Sequence, residues 1–297
     1  MRLAAAIAPS SRETDAAAID RAEERLAARG WRLKRCFDLA QADTRFAASD
    51  AARLEWLHLA VRDPAVELVL ILRGGYGLTR LLPAIDWHAV RSSAAQFVGY
   101  SDFTAFLMAN LAGGGRNGWA GPTLARDLGL AEPDPATEEW FWQAISGEAV
   151  EIAFTADRPH DLTLSGPLWG GNLCMLTSLV GTPFLPRVEG GILVLEDVDE
   201  APYRIERMLL QLLQAGVLSR QQAIVLGDFT TAEPGPNDYG YDLAAAIAHI
   251  REFAPVPVVA GFPFGHTRRK ATLPMGAVAT LAVDGTAARL SWAAAGS

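Results

Sequence analysis

The chain reads as an α/β protein in two parts, on three observations. Its 297 residues are enough for two domains with cores of their own, since single cores stop growing near about 250 to 300 residues. Through about residue 125, strand-length apolar runs alternate with helix-period segments, the order of a mainly parallel sheet with helical crossovers. After an interval rich in Pro, Asp and Glu, a second alternation resumes near residue 166. The expected organisation is therefore 1–125, a linker region 126–165, and 166–297.

The opening "MRLAAAIAPSS" has an apolar part of about six residues, shorter than the core of a secretion signal, and reads as the first strand. Ser10 with Glu13 three residues later forms a capping-box pattern before a helix carrying Ile19, Ala22 and Leu26 and ending at Gly30. A second helix is predicted after Ser49, with Leu54, Leu57, Ala60 and Val61 on one face. "VELVLIL" (66–72) suits a strand covered on both sides. Residues 96–99 read as another strand, and "FTAFLMANLA" from Phe103 as a helix.

In the linker region "EEWFWQAIS" predicts a short helix, whose Trp140, Phe141 and Trp142 are either a binding platform or packing. Beyond it, "GILVLEDV" (191–198), "AIVLGDF" (223–229) and "VPVVAGF" (256–262) predict buried strands. "YRIERMLLQLLQAG" predicts an amphipathic helix ended by Gly216. Near the end, Asp284-Gly285 between alternating runs predicts a hairpin turn.

Composition narrows the function. Half the residues are hydrophobic and a fifth charged, an ordinary globular balance. A net charge of −8 argues against a nucleic-acid surface, which needs clustered Lys and Arg. Cys36 and Cys174 have neither metal-type spacing nor the number for a disulfide framework, which suits a reducing compartment. No apolar run approaches the roughly 18 residues of a membrane span, so a soluble, cytoplasmic protein is expected.

Four places stand out chemically. Ser101, in "QFVGYSDFTA", sits at a strand-to-helix turn that exposes its hydroxyl and aims the next amides at a ligand. On this stretch alone a helix cap by Ser101 or Asp102 is the simpler reading. Glu196 and Asp197 end an apolar strand, where carboxylates need partners. Either one makes a buried salt bridge to Arg204 or Arg207, the default, or Glu196 orients a histidine. "LRGGYG" (72–77) ends a strand with glycines that let backbone approach a ligand, or simply make a tight turn. His266 lies in a Gly- and Pro-bounded loop directly after a strand, where sites are often built, or is a solvated loop residue. The order Ser, acid, His is that of α/β-hydrolases, but Phe103 occupies the second glycine position of their nucleophile motif.

Through "IAPSS", "LRGGYGLTRLLPAIDW", "FVGYSDFTAF", "GGNLCML", "ILVLEDVDEAPYRIERMLLQL" and "FGHTRRKATLPMG" the chain resembles the L,D-carboxypeptidase family of serine peptidases. That group includes muramoyltetrapeptide carboxypeptidases and microcin-immunity hydrolases. The resemblance implies a triad of Ser101, Glu196 and His266, and an oxyanion hole from the backbone N–H groups of Asp102 and Gly75. It further implies an N-terminal parallel-sheet domain, a C-terminal mixed β/α domain, a site in the cleft between them, a murein peptide substrate, no metal or organic cofactor, and a homodimer.

One position departs from the family pattern: "WAGPT" carries Ala120 where a histidine is expected, which concerns substrate contacts and not the triad. Arg73 is the candidate reader of a substrate carboxylate. Two other functions fit the same pattern. A hydrolase of acyl-nucleotide amides needs a stacking surface such as Trp169 or the Trp140 and Trp142 pair. A non-catalytic two-lobed binding protein would have no use for all three triad residues.

Overall fold

The computed structural model describes residues 1–294, so the last three residues of the stretch assigned to 166–297 lie outside it. The first part runs β1 (Arg2–Ile7), α1 (Ala16–Ala28), β2 (Trp31–Arg35), α2 (Asp50–Val61), β3 (Val66–Ile71), α3 (Leu78–Leu81), α4 (Trp87–Ser92), β4 (Gln96–Gly99), α5 (Thr104–Ala112), β5 (Gly118–Ala120) and α6 (Pro135–Ile145). The second runs β6 (Val150–Asn172), α7 (Leu173–Ser178), β7 (Gly191–Val198), α8 (Pro202–Gln214), β8 (Gln221–Thr230), α9 (Leu243–Phe253), β9 (Val258–Ala260), β10 (Leu273–Pro274) and β11 (Val278–Trp292).

The fold is the α/β arrangement expected, with two sheets. One has the order β10-β5-β4-β3-β1-β2 and the other β11-β6-β7-β8-β9. In the first, β2, β1, β3, β4 and β5 run parallel, and only β10 is antiparallel. In the second, β6 to β9 are parallel and β11 returns antiparallel to β6, which makes it mixed. The apolar runs at β3 and β7 are buried along nearly their whole length, as strands covered on both faces must be.

Helix α5 forms the seam. Its residues Thr104 to Leu111 are all buried, because it packs on β5 of one sheet and on β6 and α7 of the other. A helix buried on every face is apolar nearly all round, as this one is between Thr104 and Leu111. Its N-terminus carries Ser101, so the candidate nucleophile stands where the two sheets meet. The chain after His266 ties the halves again, since β10 leaves the second part to pair with Trp119 and Ala120 of β5.

Three local expectations are corrected. Asp15, not Ser10, caps α1, accepting from Ala18 N at 3.0 Å. Ser10 and Glu13 are both buried and engaged elsewhere. Asp284-Gly285 is not a hairpin turn: β11 continues through it, paired with Asp161 and His160 of β6. The register slips between Gly285 and Ala287, opposite the "TADRPHD" stretch, so both sequence breaks mark one bulge in a long ribbon. That ribbon begins at Val150, so residues 150–165 of the expected linker region are strand. The helix predicted at "EEWFWQAIS" is present within it as α6, beginning three residues earlier at Pro135.

Candidate active site

Ser101 follows β4 and Tyr100 at φ +63°, the left-handed region that costs a non-glycine residue about 1–2 kcal/mol. Neither it nor Asp102 makes a side-chain capping hydrogen bond to the helix, so the capping reading is overturned. Strain of this kind persists only where its surroundings enforce it. Here Gly74 backs the turn: a Cβ placed on it would lie 2.8 Å from Ser101 Cβ.

Asp102 is buried, and its Oδ2 accepts from Ser10 Oγ at 2.6 Å and from Leu78 N at 3.0 Å. One carboxylate oxygen thus joins the end of β1, the segment after the glycine turn, and the elbow. Desolvation raises the Asp102 pKa, against the lowering effect of the Ser10 hydroxyl. Gly75 has φ +112° and leaves no room for a side chain, since a Cβ there would meet Ser11 Oγ at 2.2 Å. Ser11 Oγ instead accepts from Tyr76 N at 3.2 Å. The two consecutive serines of "APSS" therefore hold the glycine turn and the elbow together.

Glu196 lies fully buried in β7. Its Oε2 is 2.7 Å from His266 Nδ1, and His266 Nε2 is 3.0 Å from Ser101 Oγ. A carboxylate only accepts, so the proton sits on Nδ1 and the Nε2 lone pair faces the serine hydroxyl. The other Glu196 oxygen accepts from Asn172 Nδ2 at 3.2 Å. Asn172 is the register partner of Glu196 on the adjoining strand, and its backbone N donates to Thr104 Oγ1 of α5 at 3.0 Å. Asn172 Nδ2 also donates to Asp197 Oδ1 at 2.9 Å.

The salt bridge expected from Glu196 or Asp197 to Arg204 or Arg207 is absent among the described residues. Arg204 pairs with Glu200, one helical turn before it. Asp197 is satisfied by Asn172 and by the backbone N–H groups of Val198 and Cys174. Burial pushes its pKa up to about 6.

The loop bearing His266 is fixed by its continuation. Lys270, 1 % exposed, forms a buried ion pair with Asp127. Asp127 also accepts from Thr123 N at 2.7 Å and Thr123 Oγ1 at 2.9 Å. Lys270 Nζ lies 4.6 Å from the centre of the Tyr100 ring, and the His266 ring is 4.9 Å from that same ring.

Ser101 and His266 open onto a cavity of about 420 Å³ whose wall includes Arg45, Arg73, Arg126 and Asp199. A neighbouring cavity of about 570 Å³ shares Tyr100, Arg126 and His266 with it. Arg126 is neutralised by the buried Glu13, at 2.7 and 2.8 Å. Half-buried Arg73 has no carboxylate within ion-pair distance among the described residues, and its one side-chain hydrogen bond is to Arg12 O at 3.3 Å. Burial, then the charges of Arg126 and Arg45, lower its pKa. A guanidinium held there at a cost is complementary to an incoming carboxylate.

The aromatic candidates fall outside this cavity. Trp169 is 1 % exposed and donates to Gln221 Oε1 at 2.8 Å. Phe141 is buried, and Trp142 lies under Arg29. Ala120 is buried at the end of β5, where it pairs with Leu273 of β10. Asn172 carried no role in the sequence reading; its signal was an amide at the end of the "GGN" run, one strand away from "LEDV".

Comparison with known proteins identifies the family and the fold. Residues 5–121 match the LD-carboxypeptidase N-terminal domain and residues 165–281 the LD-carboxypeptidase C-terminal domain. The crystal structure of muramoyltetrapeptide carboxypeptidase from Oxalobacter formigenes superposes with a TM-score of 0.92 at 38% identity, over 98% of each chain. A probable murein peptide carboxypeptidase of Bacillus subtilis is 34% identical over 79% of this chain and 75% of its own length. The microcin self-immunity protein MccF in complex with aspartyl sulfamoyl adenosine shares the fold, with a TM-score of 0.86 at 21% identity over 98% of this chain and 96% of its own.

Proposed function

The chain belongs to the LD-carboxypeptidase family, and from that premise we propose that it is a serine L,D-carboxypeptidase that releases the terminal D-alanine of murein tetrapeptides. The observation that carries the reading is the hydrogen-bonded line Glu196, His266, Ser101 opening beside an Arg73 that lacks a counter-ion.

Ser101 Oγ attacks the carbonyl of the L-to-D peptide bond while His266 Nε2 takes its proton, and Glu196 holds the imidazole with Nδ1 protonated. The N–H groups of Asp102 and Gly75 receive the oxyanion, a contribution of about 2.7–4 kcal/mol per donor in other serine hydrolases. His266 returns the proton to the departing amine of D-alanine. Water, with His266 again as base, then hydrolyses the acyl-serine. Arg73 binds the D-alanine carboxylate. In this reading residues 1–125 supply the nucleophile and 166–297 the acid and the base. The reaction serves cytoplasmic cell-wall recycling, and the enzyme is a homodimer.

The acyl-nucleotide alternative is supported by the fold shared with MccF, but the catalytic cavity offers an adenine no free ring. Tyr100, the aromatic residue on its wall, is already covered by His266 and Lys270. The two readings separate on kcat/KM for L-Ala-γ-D-Glu-meso-diaminopimelyl-D-Ala and for aspartyl sulfamoyl adenosine. Faster turnover of the peptide is expected, and faster turnover of the nucleotide conjugate overturns the assignment.

A further inference from the structure

The cavity at Ser101 carries a charge pattern that D-alanine alone does not use. Arg45 and Arg73 line it without an ion-pair partner among the described residues, and Arg126 is already matched by Glu13. Asp199 is the one carboxylate on the same wall, and no cation of the described residues reaches it. It is exposed, three residues after Glu196 in the chain.

Its placement is enforced. Asp199 adopts φ +59° and Thr231, at the end of β8, φ +57°. The two hold each other: Asp199 N donates to Thr231 Oγ1 at 3.1 Å and to Thr230 O at 3.1 Å, and Thr231 Oγ1 donates back to Asp199 Oδ1. Two neighbouring side-chain-bearing residues in the left-handed region cost free energy that the fold must offset elsewhere, and such outliers concentrate at ligand sites. Oδ1 is engaged by the threonine, which leaves Oδ2 for a ligand. A solvent-exposed carboxylate on the wall of the cavity that holds Ser101, where Arg45, Arg73 and Arg126 supply guanidinium groups, is complementary to a ligand with carboxylates and one ammonium.

From this, and resting on the carboxypeptidase reading above, we infer that Asp199 is a specificity-determining residue that binds the side-chain ammonium of the substrate residue supplying the scissile carbonyl. Chemistry fixes the side of the bond. While it is still amide-linked, D-alanine offers only a methyl group and a carboxylate, so an ammonium bound at Asp199 before cleavage belongs to the acyl portion. A diamino acid with a free ω-amine meets this requirement, and a neutral residue of the same length does not.

The test compares two tetrapeptides, L-Ala-γ-D-Glu-L-Lys-D-Ala and its L-norleucine counterpart, which differ by one amino group. The wild-type chain is expected to favour the lysine peptide by about tenfold or more in kcat/KM, the range of a charge-assisted hydrogen bond, with the preference shrinking as salt is raised. Asp199→Asn tolerates the left-handed backbone and still accepts from Thr231. In it the ratio is expected to collapse toward one through loss on the lysine peptide. A variant that loses equally on both peptides, or a wild-type chain with no preference, overturns the inference while leaving the carboxypeptidase reading in place. Release of D-alanine from the meso-diaminopimelyl tetrapeptide but from neither of these two overturns the inference alone, and release from none of the three overturns both.

Discussion

Ser10 Oγ donates to Asp102 Oδ2 at 2.6 Å, across 92 positions of sequence, and the same oxygen receives Leu78 N. This places the residue after the candidate nucleophile under the control of two other segments. The proposed oxyanion donors, Asp102 N and Gly75 N, belong to the segments that this carboxylate joins.

Asp102→Ala is therefore expected to lower kcat at least tenfold with a small change in KM, because the donors lose alignment with the transition state and not with the ground state. Asp102→Asn keeps an acceptor for both hydrogen bonds and is expected to recover most of the loss. Steady-state kinetics on the two variants checks this; equal kinetics for both would assign Asp102 a packing role only.

Glu196→Gln keeps the size of the side chain but presents an amide to His266 Nδ1, which no longer favours the tautomer with Nε2 free. A fall of about 10⁴ in kcat is expected, as for the corresponding change in other triads. Retained kcat would mean that the 2.7 Å contact is structural.

Lys270→Met leaves Asp127 charged and buried without its cation, which costs about 3–5 kcal/mol. Urea unfolding is expected to show that loss for the single variant, and a smaller one when Asp127→Asn is added, since no bare charge then remains. Equal losses would show that the pair contributes nothing through its charge.

Asp197 gives the fold a pH dependence of its own. Its folded pKa of about 6 lies above the ordinary 3.8, so the folded chain keeps this proton to higher pH than the unfolded chain. Its favourable contribution is full below about pH 4 and is lost as pH rises through about 6, roughly 3 kcal/mol over the window. Denaturation midpoints measured from pH 4 to 7 should show the decline, and Asp197→Asn should flatten it.

Much of this architecture was legible because buried strands and helix seams impose their periodicity on the sequence: β3, β7 and α5 follow from "VELVLIL", "GILVLEDV" and "FTAFLMANLA". The errors share a cause, namely local patterns whose residues answer to distant partners. Ser10 and Glu13 have the spacing of a capping box but are drawn to Asp102 and Arg126. Asp284-Gly285 has turn chemistry because a bulge needs a positive φ as a turn does, with Gly285 at φ +58°. Arg204 is close to Glu196 in sequence, yet it turns to Glu200, which just precedes its helix. Asn172 was invisible because its role depends on β6 and β7 lying in register.

The central claim is that Ser101 is the nucleophile, and the direct measurement is D-alanine release by purified Ser101→Ala alongside its thermal unfolding. The hydroxyl contacts His266 at 3.0 Å and is no part of the core. A melting temperature close to that of the wild type is expected, with a kcat lower by about 10⁶, as for triad nucleophiles elsewhere. Wild-type melting together with near-wild-type D-alanine release would contradict it.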